Sequence, residues 1–413
     1  MNATRLSAID AFFVAYQEES GVLMQLGVEV ELKGSITRDD LDHMLLCVVR
    51  RWPPLGQRLR KNFSGLSWEG ECRVSEMLRT EGTVAEWRNR RLDPFKEAPF
   101  QVLWIADGER HVLAFRAHHA VVDGEGFFAV CAEAMRRLAE KRTQIAQIHT
   151  KQIRERSLNL ADALQIVQRM RREALEKKTA SLAMRSCVPG NISVVERDLV
   201  RSELGATPGW LCAGAWMKAI YAWNLSRGGN SSSLISLEVP VSLRRLRDNE
   251  IRIGNLISPL TLYGDATQPL DDLARELKQQ MSKAMRQRTH LALPSLSSPA
   301  KFLPYSMFRK LTANPELTGS ATSHFAWLEQ SQSIHEDVAR ISNGALQIVN
   351  QRIYTPVCLH MGAAVAILAW PDRTQVFLTH RLSAFSTADA DTLLDLMVQE
   401  LDQKRVTRRQ VAV

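Results

Sequence analysis

The alternation of apolar and polar positions along the chain predicts short strands and amphipathic helices that follow one another. Strict alternation or short apolar runs predict strands at residues 24–32, 111–117, 192–199, 234–241 and 375–381. Apolar residues at every third or fourth position predict helices at residues 37–51, 124–138, 207–226 and 388–401. Strands and helices that alternate in this way predict an α/β protein.

One region of the pattern divides the chain into two halves. Residues 141–178 are polar and helical in character, and residues 179–190 lose that periodicity and end in Pro189-Gly190. A chain of 413 residues is long enough for two ordinary domains. We therefore expect an N-terminal half at residues 1–178 and a C-terminal half at residues 179–413.

The composition indicates a globular protein of the cytoplasm. Hydrophobic residues make up 45% of the chain, which is enough for substantial cores. There is no run of about 18 apolar residues and no secretory signal at the N-terminus, so we expect no membrane span. The six cysteines are scattered singly, which favours free thiols over disulfides or a metal site.

The formal net charge of +8 raises the question of nucleic-acid binding. The basic residues are spread along predicted helices, and no zinc-finger spacing or RNA-binding motif is present. We therefore expect no nucleic-acid partner. A basic surface would instead suit a phosphate-bearing coenzyme or an acidic carrier protein.

The strongest chemical signal is a cluster of polar residues at a strand-to-helix junction. His118 and His119 follow a predicted strand, and Asp123 and Gly124 precede a predicted helix. Histidine can transfer a proton near neutral pH. Because adjacent residues of a strand point to opposite sides, one histidine should face a cleft while the other packs. Two core histidines are the alternative, and Asp123 could be a carboxylate partner of an imidazole.

These residues carry a resemblance to a known family. The pattern HHxxxDG at residues 118–124 resembles the signature of the chloramphenicol acetyltransferase-like acyltransferases, which include condensation domains and bacterial wax ester synthases. The strand that ends in Pro240-Val-Ser-Leu-Arg244, the Gly254-Asn255 turn and the last strand and helix also resemble that family. The resemblance implies two chloramphenicol acetyltransferase-like halves, each a two-layer α+β sandwich, with the active-site channel between them.

The resemblance also implies roles for the residues of the motif. His119 would be the general base, and His118 would be positional. Asp123 would pair with an arginine, either Arg244 or its rival Arg51.

The resemblance also gives expectations for three further site residues. Gly124 would let a substrate or the backbone approach closely, and Asn255 would be structural. Ser323 is a candidate donor to the oxyanion of the reaction, although it could equally be an ordinary strand residue.

The implied activity is acyl transfer from a thioester to a hydroxyl or amine acceptor, without an acyl-enzyme, in secondary-metabolite or lipid biosynthesis. The donor would be coenzyme A or a phosphopantetheine thioester on a carrier protein, with no permanently bound cofactor, no metal, and a monomeric enzyme. The alternatives are a stand-alone condensation enzyme that joins carrier-bound substrates and a non-catalytic docking module. A hydrolase would need a nucleophile elbow, and the chain has no G-x-S-x-G.

Overall fold

The computed structural model describes most of the chain in segments separated by short gaps: residues 4–62, 65–70, 73–140, 158–200, 204, 207–228, 232–244, 253–297, 305–312, 321–329, 334–370 and 373–411. The strands in these ranges are β1 Thr4–Arg5, β2 Gln25–Gly34, β3 Arg58–Asn62, β4 Gly65–Glu69, β5 Leu78–Arg79, β6 Phe100–Asp107, β7 Arg110–His118, β8 Ile192–Val200, β9 Leu234–Ser242, β10 Ile257–Asp265, β11 Ser323–Glu329, β12 Leu346–Tyr354, β13 Ala363–Ala369 and β14 Arg373–Arg381. The helices are α1 Ala8–Ser20, α2 Arg38–Arg51, α3 Val74–Met77, α4 Val84–Asn89, α5 Gly124–Glu140, α6 Leu160–Glu176, α7 Pro208–Ser226, α8 Leu270–Arg286, α9 Ala292–Ser297, α10 Tyr305–Thr312, α11 Ile334–Ile341 and α12 Thr387–Val411.

The strands form two main sheets, which confirms the α/β prediction. A five-stranded sheet has the order β12-β2-β7-β6-β5, and a six-stranded sheet has the order β10-β9-β11-β13-β14-β8. A small third sheet has the order β1-β4-β3. The predicted strands and helices are present, with ends that differ by a few residues at most positions.

Each main sheet is covered by helices on one face. Helices α2 and α5 pack on the first sheet through side chains such as Leu45 and Phe127. Helices α7, α8 and α12 pack on the second sheet through Trp216, Leu273 and Leu394. Helix α7 is buried on nearly all sides, which its almost wholly apolar sequence requires. Two sandwiches of sheet and helix result.

One strand departs from the predicted division of the chain. β12 belongs to the C-terminal half by sequence, yet it pairs antiparallel with β2 in the first sheet, with Ile353 opposite Val28. Its side chains Leu346 and Ile353 are buried in the first core. A boundary at residues 178 and 179 therefore does not separate the two sheets. A strand's alternation shows which face is buried but not which sheet it joins.

The two sandwiches are also joined by shared packing and by an ion pair. Side chains of the second sheet that point away from its helices, such as Ala326 and Phe377, lie in the first core. Arg352 on β12 makes a two-pronged ion pair with Glu196 on β8, at 2.8 and 2.9 Å. These contacts hold the two sandwiches against each other.

The polar segment predicted at 141–178 is observed in part. Its second portion is helix α6, and residues 141–157 lie outside the described residues. Among the described helices, none has the length and the apolar character needed to cross a membrane.

Candidate active site

The two histidines of the motif have different environments, as the alternation of a strand predicts. His118 is the last residue of β7, and its side chain is fully buried. Its Nδ1 accepts a hydrogen bond from the Ala120 backbone N–H at 3.0 Å. Burial lowers the pKa of His118 to about 3, so this ring is neutral at ordinary pH. It packs inside the first half.

His119 lies at the boundary between the halves and retains 8% exposure. Its ring stacks on Phe13 of helix α1, with ring centres 3.8 Å apart and planes 16° from parallel. Its backbone N–H donates to the Met24 carbonyl at 2.8 Å, which holds the turn after β7. Burial lowers the pKa of His119 below its ordinary value, so the imidazole is neutral near pH 7.

Asn255 of the second half determines which nitrogen of His119 carries the proton. The Asn255 side-chain N–H₂ donates to Asp10 Oδ1 at 2.7 Å and to the His119 carbonyl at 2.6 Å. Both amide hydrogens are used in this way, so the Asn255 atom 2.8 Å from His119 Nδ1 is the acceptor Oδ1. Nδ1 must therefore carry the hydrogen, and Nε2 carries the lone pair.

His119 Nε2 has no hydrogen-bond partner among the residues that the structure describes. The ring therefore has an unprotonated nitrogen that makes no hydrogen bond with any described residue. Of the two motif histidines, His119 has the unprotonated nitrogen without a described partner, and it is also the more exposed of the two, at 8% against 0% for His118. This is the arrangement that a general base needs.

Asp10 is a site residue that the sequence did not reveal. It closes the capping box of helix α1 with Ser7, and the same carboxylate receives the Asn255 side chain. Burial raises the pKa of Asp10. The Ser7-x-x-Asp10 spacing signals a helix start. It cannot signal a contact with a residue 245 positions later.

Asp123 connects three segments around the motif. Its Oδ1 accepts the Gly126 backbone N–H at 2.8 Å and so caps helix α5. Its Oδ2 accepts the Leu256 N–H at 2.8 Å and pairs with Arg244 at 2.8 Å. The side chain is fully buried and makes no hydrogen bond with His119 within the described part of the chain. The carboxylate thus shapes the junction, and a triad with His119 is absent from these contacts.

Arg244, rather than Arg51, is the arginine that contacts Asp123. Its Nη1 lies 2.8 Å from Asp123 Oδ2, and its Nη2 lies 3.4 Å from the Gly254 carbonyl. Arg51 pairs with Glu133 on α5 at 2.8 Å instead. The pair of Asp123 and Arg244 therefore joins the first half to the second.

The two glycines of the motif region have different surroundings. A Cβ atom added to Gly124 would meet no described atom within 4 Å, so open space adjoins it. A Cβ atom added to Gly126 would lie 2.8 Å from both Arg244 Nη2 and Val122 Cγ2. Gly126, which the sequence analysis did not single out, is the glycine on which the Asp123 and Arg244 contact depends.

The contacts of Ser323 favour the alternative of an ordinary strand residue over an oxyanion donor. Its side chain is fully buried on the helix-covered face of β11, where it accepts the Trp216 indole N–H at 3.1 Å. Its hydroxyl donates to the Ala363 carbonyl at 3.1 Å, which uses its one hydrogen. The next residue, His324, faces the first half. The strand's two-residue period therefore turns Ser323 away from the face that His324 occupies.

Among the described residues, no group of three or more His, Cys, Asp or Glu side chains is arranged to hold a metal ion. The site consists of the neutral His119 ring, its partners Asn255 and Asp10, and the ion pair beside them. Such a site can remove a proton from a substrate and return it.

Comparison with known proteins shows which solved structures share this fold. No family model and no curated protein matches the chain. Solved structures do match over nearly the whole length: the fold is the α/β fold of condensation domains and of a trichothecene 15-O-acetyltransferase.

Three of these structures illustrate the different kinds of protein that share the fold. The starter condensation domain of rhizomide synthetase has a TM-score of 0.67 and 15% identity, covering 98% of this chain and 95% of that chain. Trichothecene 15-O-acetyltransferase from Fusarium sporotrichioides has a TM-score of 0.72 and 12% identity, covering 97% of this chain and 94% of that chain. The epimerization domain from the third module of tyrocidine synthetase B has a TM-score of 0.64 and 12% identity, covering 98% and 97%. At these identities the likeness is one of fold.

Proposed function

We propose that this protein transfers an acyl group from a thioester to a hydroxyl or amine acceptor, with His119 as the general base. One observation carries the proposal: Asn255 Oδ1 lies 2.8 Å from His119 Nδ1, which favours the proton on Nδ1 and leaves Nε2 without a hydrogen-bond partner among the described residues. A neutral imidazole with an open nitrogen is suited to receive the acceptor's proton. The fold shared with condensation domains and an acetyltransferase supports this class of reaction.

The reaction needs no nucleophile from the protein, because a thioester is already activated. The acceptor O–H or N–H gives its proton to His119 Nε2 as the oxygen or nitrogen attacks the thioester carbonyl carbon. The tetrahedral intermediate then expels the thiolate, and the imidazolium returns the proton to that sulfur. The products are the ester or amide and the free thiol. General base catalysis of this kind contributes about 10² to 10⁴ in rate.

Asn255 and Asp10 act on His119 while it is charged. In the imidazolium, Nδ1–H donates to Asn255 Oδ1, and the Asp10 carboxylate holds the Asn255 side chain from behind. A hydrogen bond to a charged group is stronger than one to a neutral group, so the pair stabilises the intermediate more than the resting ring. Asn255 and Asp10 are positioning residues in this mechanism.

The donor we propose is coenzyme A or a phosphopantetheine arm, both of which end in the same thiol. A starter condensation domain of rhizomide synthetase with this fold was solved in complex with C8-CoA and Leu-SNAC. The net charge of +8 is compatible with a phosphate-bearing donor or an acidic carrier protein. The open space beside Gly124 lies at the start of α5, next to the histidine turn, where a donor or acceptor could approach.

The test is incubation with a panel of acyl-coenzyme A esters of increasing length and of acyl-carrier proteins, each with hydroxyl and amine acceptors. Thiol release and product mass are followed together, and the intact protein is weighed during turnover. We expect thiol and product in equal amounts and no acylated protein. The proposal would be contradicted if, for every donor tested, thiol were released no faster with the protein than without it. An acylated protein would contradict direct transfer.

A docking role is the second candidate, because an X-domain from teicoplanin biosynthesis with this fold was solved in complex with OxyB, at a TM-score of 0.60 and 16% identity. The HHxxxDG residues and the free His119 Nε2 favour catalysis over docking. Binding of a protein partner together with inactivity on the whole donor panel would reverse that preference.

A further inference from the structure

A second polar pair lies on the sheet that faces His119. Glu238 on β9 and His324 on β11 are directly opposite each other in the parallel ladder between these strands. His324 Nδ1 lies 3.4 Å from Glu238 Oε1, and the two side chains are 23% and 25% exposed. Both strands lie inside the second sheet rather than at its edge.

The alternation along β11 shows which way this pair faces. Phe325 belongs to the core beneath the helices of the second half, whereas Ala326 belongs to the core of the first half. His324 and Glu238 share the face of Ala326, so they point toward the first half. His324 is also within electrostatic reach of His119, whose pKa it helps to lower after the larger effect of burial. The pair therefore lies near the proposed base.

Among the described residues, no lysine or arginine side chain makes an ion pair with Glu238. Within the described ranges, His324 is the basic group in ion-pair contact with Glu238. Cys358 and His360 are within electrostatic reach of Glu238. Burial raises the pKa of Cys358 to about 12 and lowers that of His360, so both are neutral near pH 7.

Two further groups adjoin this region, and neither supplies the missing charge by contact. Tyr16 accepts the Leu359 backbone N–H at 3.2 Å, and burial raises its pKa. The Arg381 guanidinium donates to the carbonyl oxygens of Leu359 and Val188. A partly buried carboxylate without a lysine or arginine partner costs free energy, which a bound cation would recover.

We propose that Glu238, held by His324, binds an ammonium group that the acceptor carries beside its nucleophile. The inference rests on the proposed acyl transfer and names its acceptor class: an amino alcohol or a diamine, rather than a simple fatty alcohol. An ammonium group donates hydrogen bonds to the carboxylate and supplies the opposite charge. Its attachment there would leave the nucleophile of the acceptor free to reach toward His119 Nε2.

The first test measures binding and needs no turnover. Saturation-transfer NMR compares 4-aminobutan-1-ol with pentan-1-ol, which has nearly the same size and lacks the charge. We expect the amino alcohol to bind at least ten-fold more tightly. The Glu238→Gln variant should lose about ten-fold to 100-fold of that affinity, whereas the control Glu31→Gln, at an exposed position of β2, should not change it. Equal affinities for the two alcohols, or full affinity in Glu238→Gln, would overturn the proposal.

The second test measures selectivity with the donor found in the panel. The ratio of kcat/KM for 4-aminobutan-1-ol to that for pentan-1-ol should fall about ten-fold or more in Glu238→Gln, mainly through KM. An unchanged ratio would overturn the proposal. Because binding is measured separately, a protein that binds the amino alcohol through Glu238 without transferring an acyl group would contradict the acyl-transfer function alone. Thermal melting of both variants shows whether the fold is kept.

Discussion

Replacing Asn255 by alanine tests whether the hydrogen bond to Asn255 sets the protonation of His119, the proposed base. The substitution removes the Oδ1 that accepts from His119 Nδ1 at 2.8 Å and leaves the His119 side chain itself unchanged. The proton of the neutral ring can then occupy either nitrogen, and the imidazolium loses a hydrogen bond. Hydrogen bonds to charged groups contribute about 1.5–3 kcal/mol, which corresponds to a fall of about ten-fold to 150-fold in kcat.

The pH profile separates this role from a merely structural one. The Asn255 hydrogen bond raises the pKa of His119, in opposition to burial, which lowers it. Its removal should therefore lower that pKa further, and the acid limb of kcat/KM should move to lower pH. Loss of structure alone would reduce activity without moving the limb.

The assay is steady-state thiol release across a pH series, with thermal melting of each variant. The control is Asn350→Ala, at an asparagine on β12 whose side chain accepts from the Gln351 backbone. Activity of Asn255→Ala within two-fold of the unchanged protein, or an acid limb that moves to higher pH, would refute the proposed role of Asn255.

Three further predictions concern the frame around the base. Arg244→Ala leaves the fully buried Asp123 without its cation, and urea unfolding should show a loss of about 3–5 kcal/mol; a loss below 1 kcal/mol would contradict it. Gly126→Ala places a Cβ 2.8 Å from Arg244 Nη2 and should cost about 1–3 kcal/mol, whereas Gly124→Ala, with open space beside it, should keep near-normal stability; equal losses would be inconsistent. Burial lowers the pKa of His118 to about 3 in the folded protein, below the value of about 6.5 in the unfolded chain. Acidification between these two pH values should therefore reduce stability by about 1.4 kcal/mol per pH unit, and His118→Gln should lessen that slope.

The local features of the site could be predicted from the sequence. The strand before His118, the helix after Gly124 and the opposite directions of the two histidines follow from short-range periodicity and from backbone geometry. The resemblance indicated Arg244 as a partner of Asp123, and the structure shows that contact. These features depend on residues that are close in sequence, or on family motifs that contain both of the contacting residues.

The features that could not be predicted depend on the pairing of distant strands. Ser323 and His324 differ only in which face of β11 they occupy, and a shift of one residue would exchange them. The transfer of β12 to the first sheet is fixed by its pairing with β2, which no local pattern of β12 encodes. Asp10 resembles an ordinary helix-capping residue until the second half brings Asn255 against it.

The central claim is that the free nitrogen of His119 removes the acceptor's proton, and the single-turnover rate of acyl transfer in His119→Ala tests it most directly. The variant is compared with the unchanged protein at saturating donor and acceptor, with matched thermal melting as the control for folding. We predict a rate lower by about 10² to 10⁴, with the donor still bound. A folded His119→Ala protein that transfers the acyl group at the unchanged rate would contradict the claim.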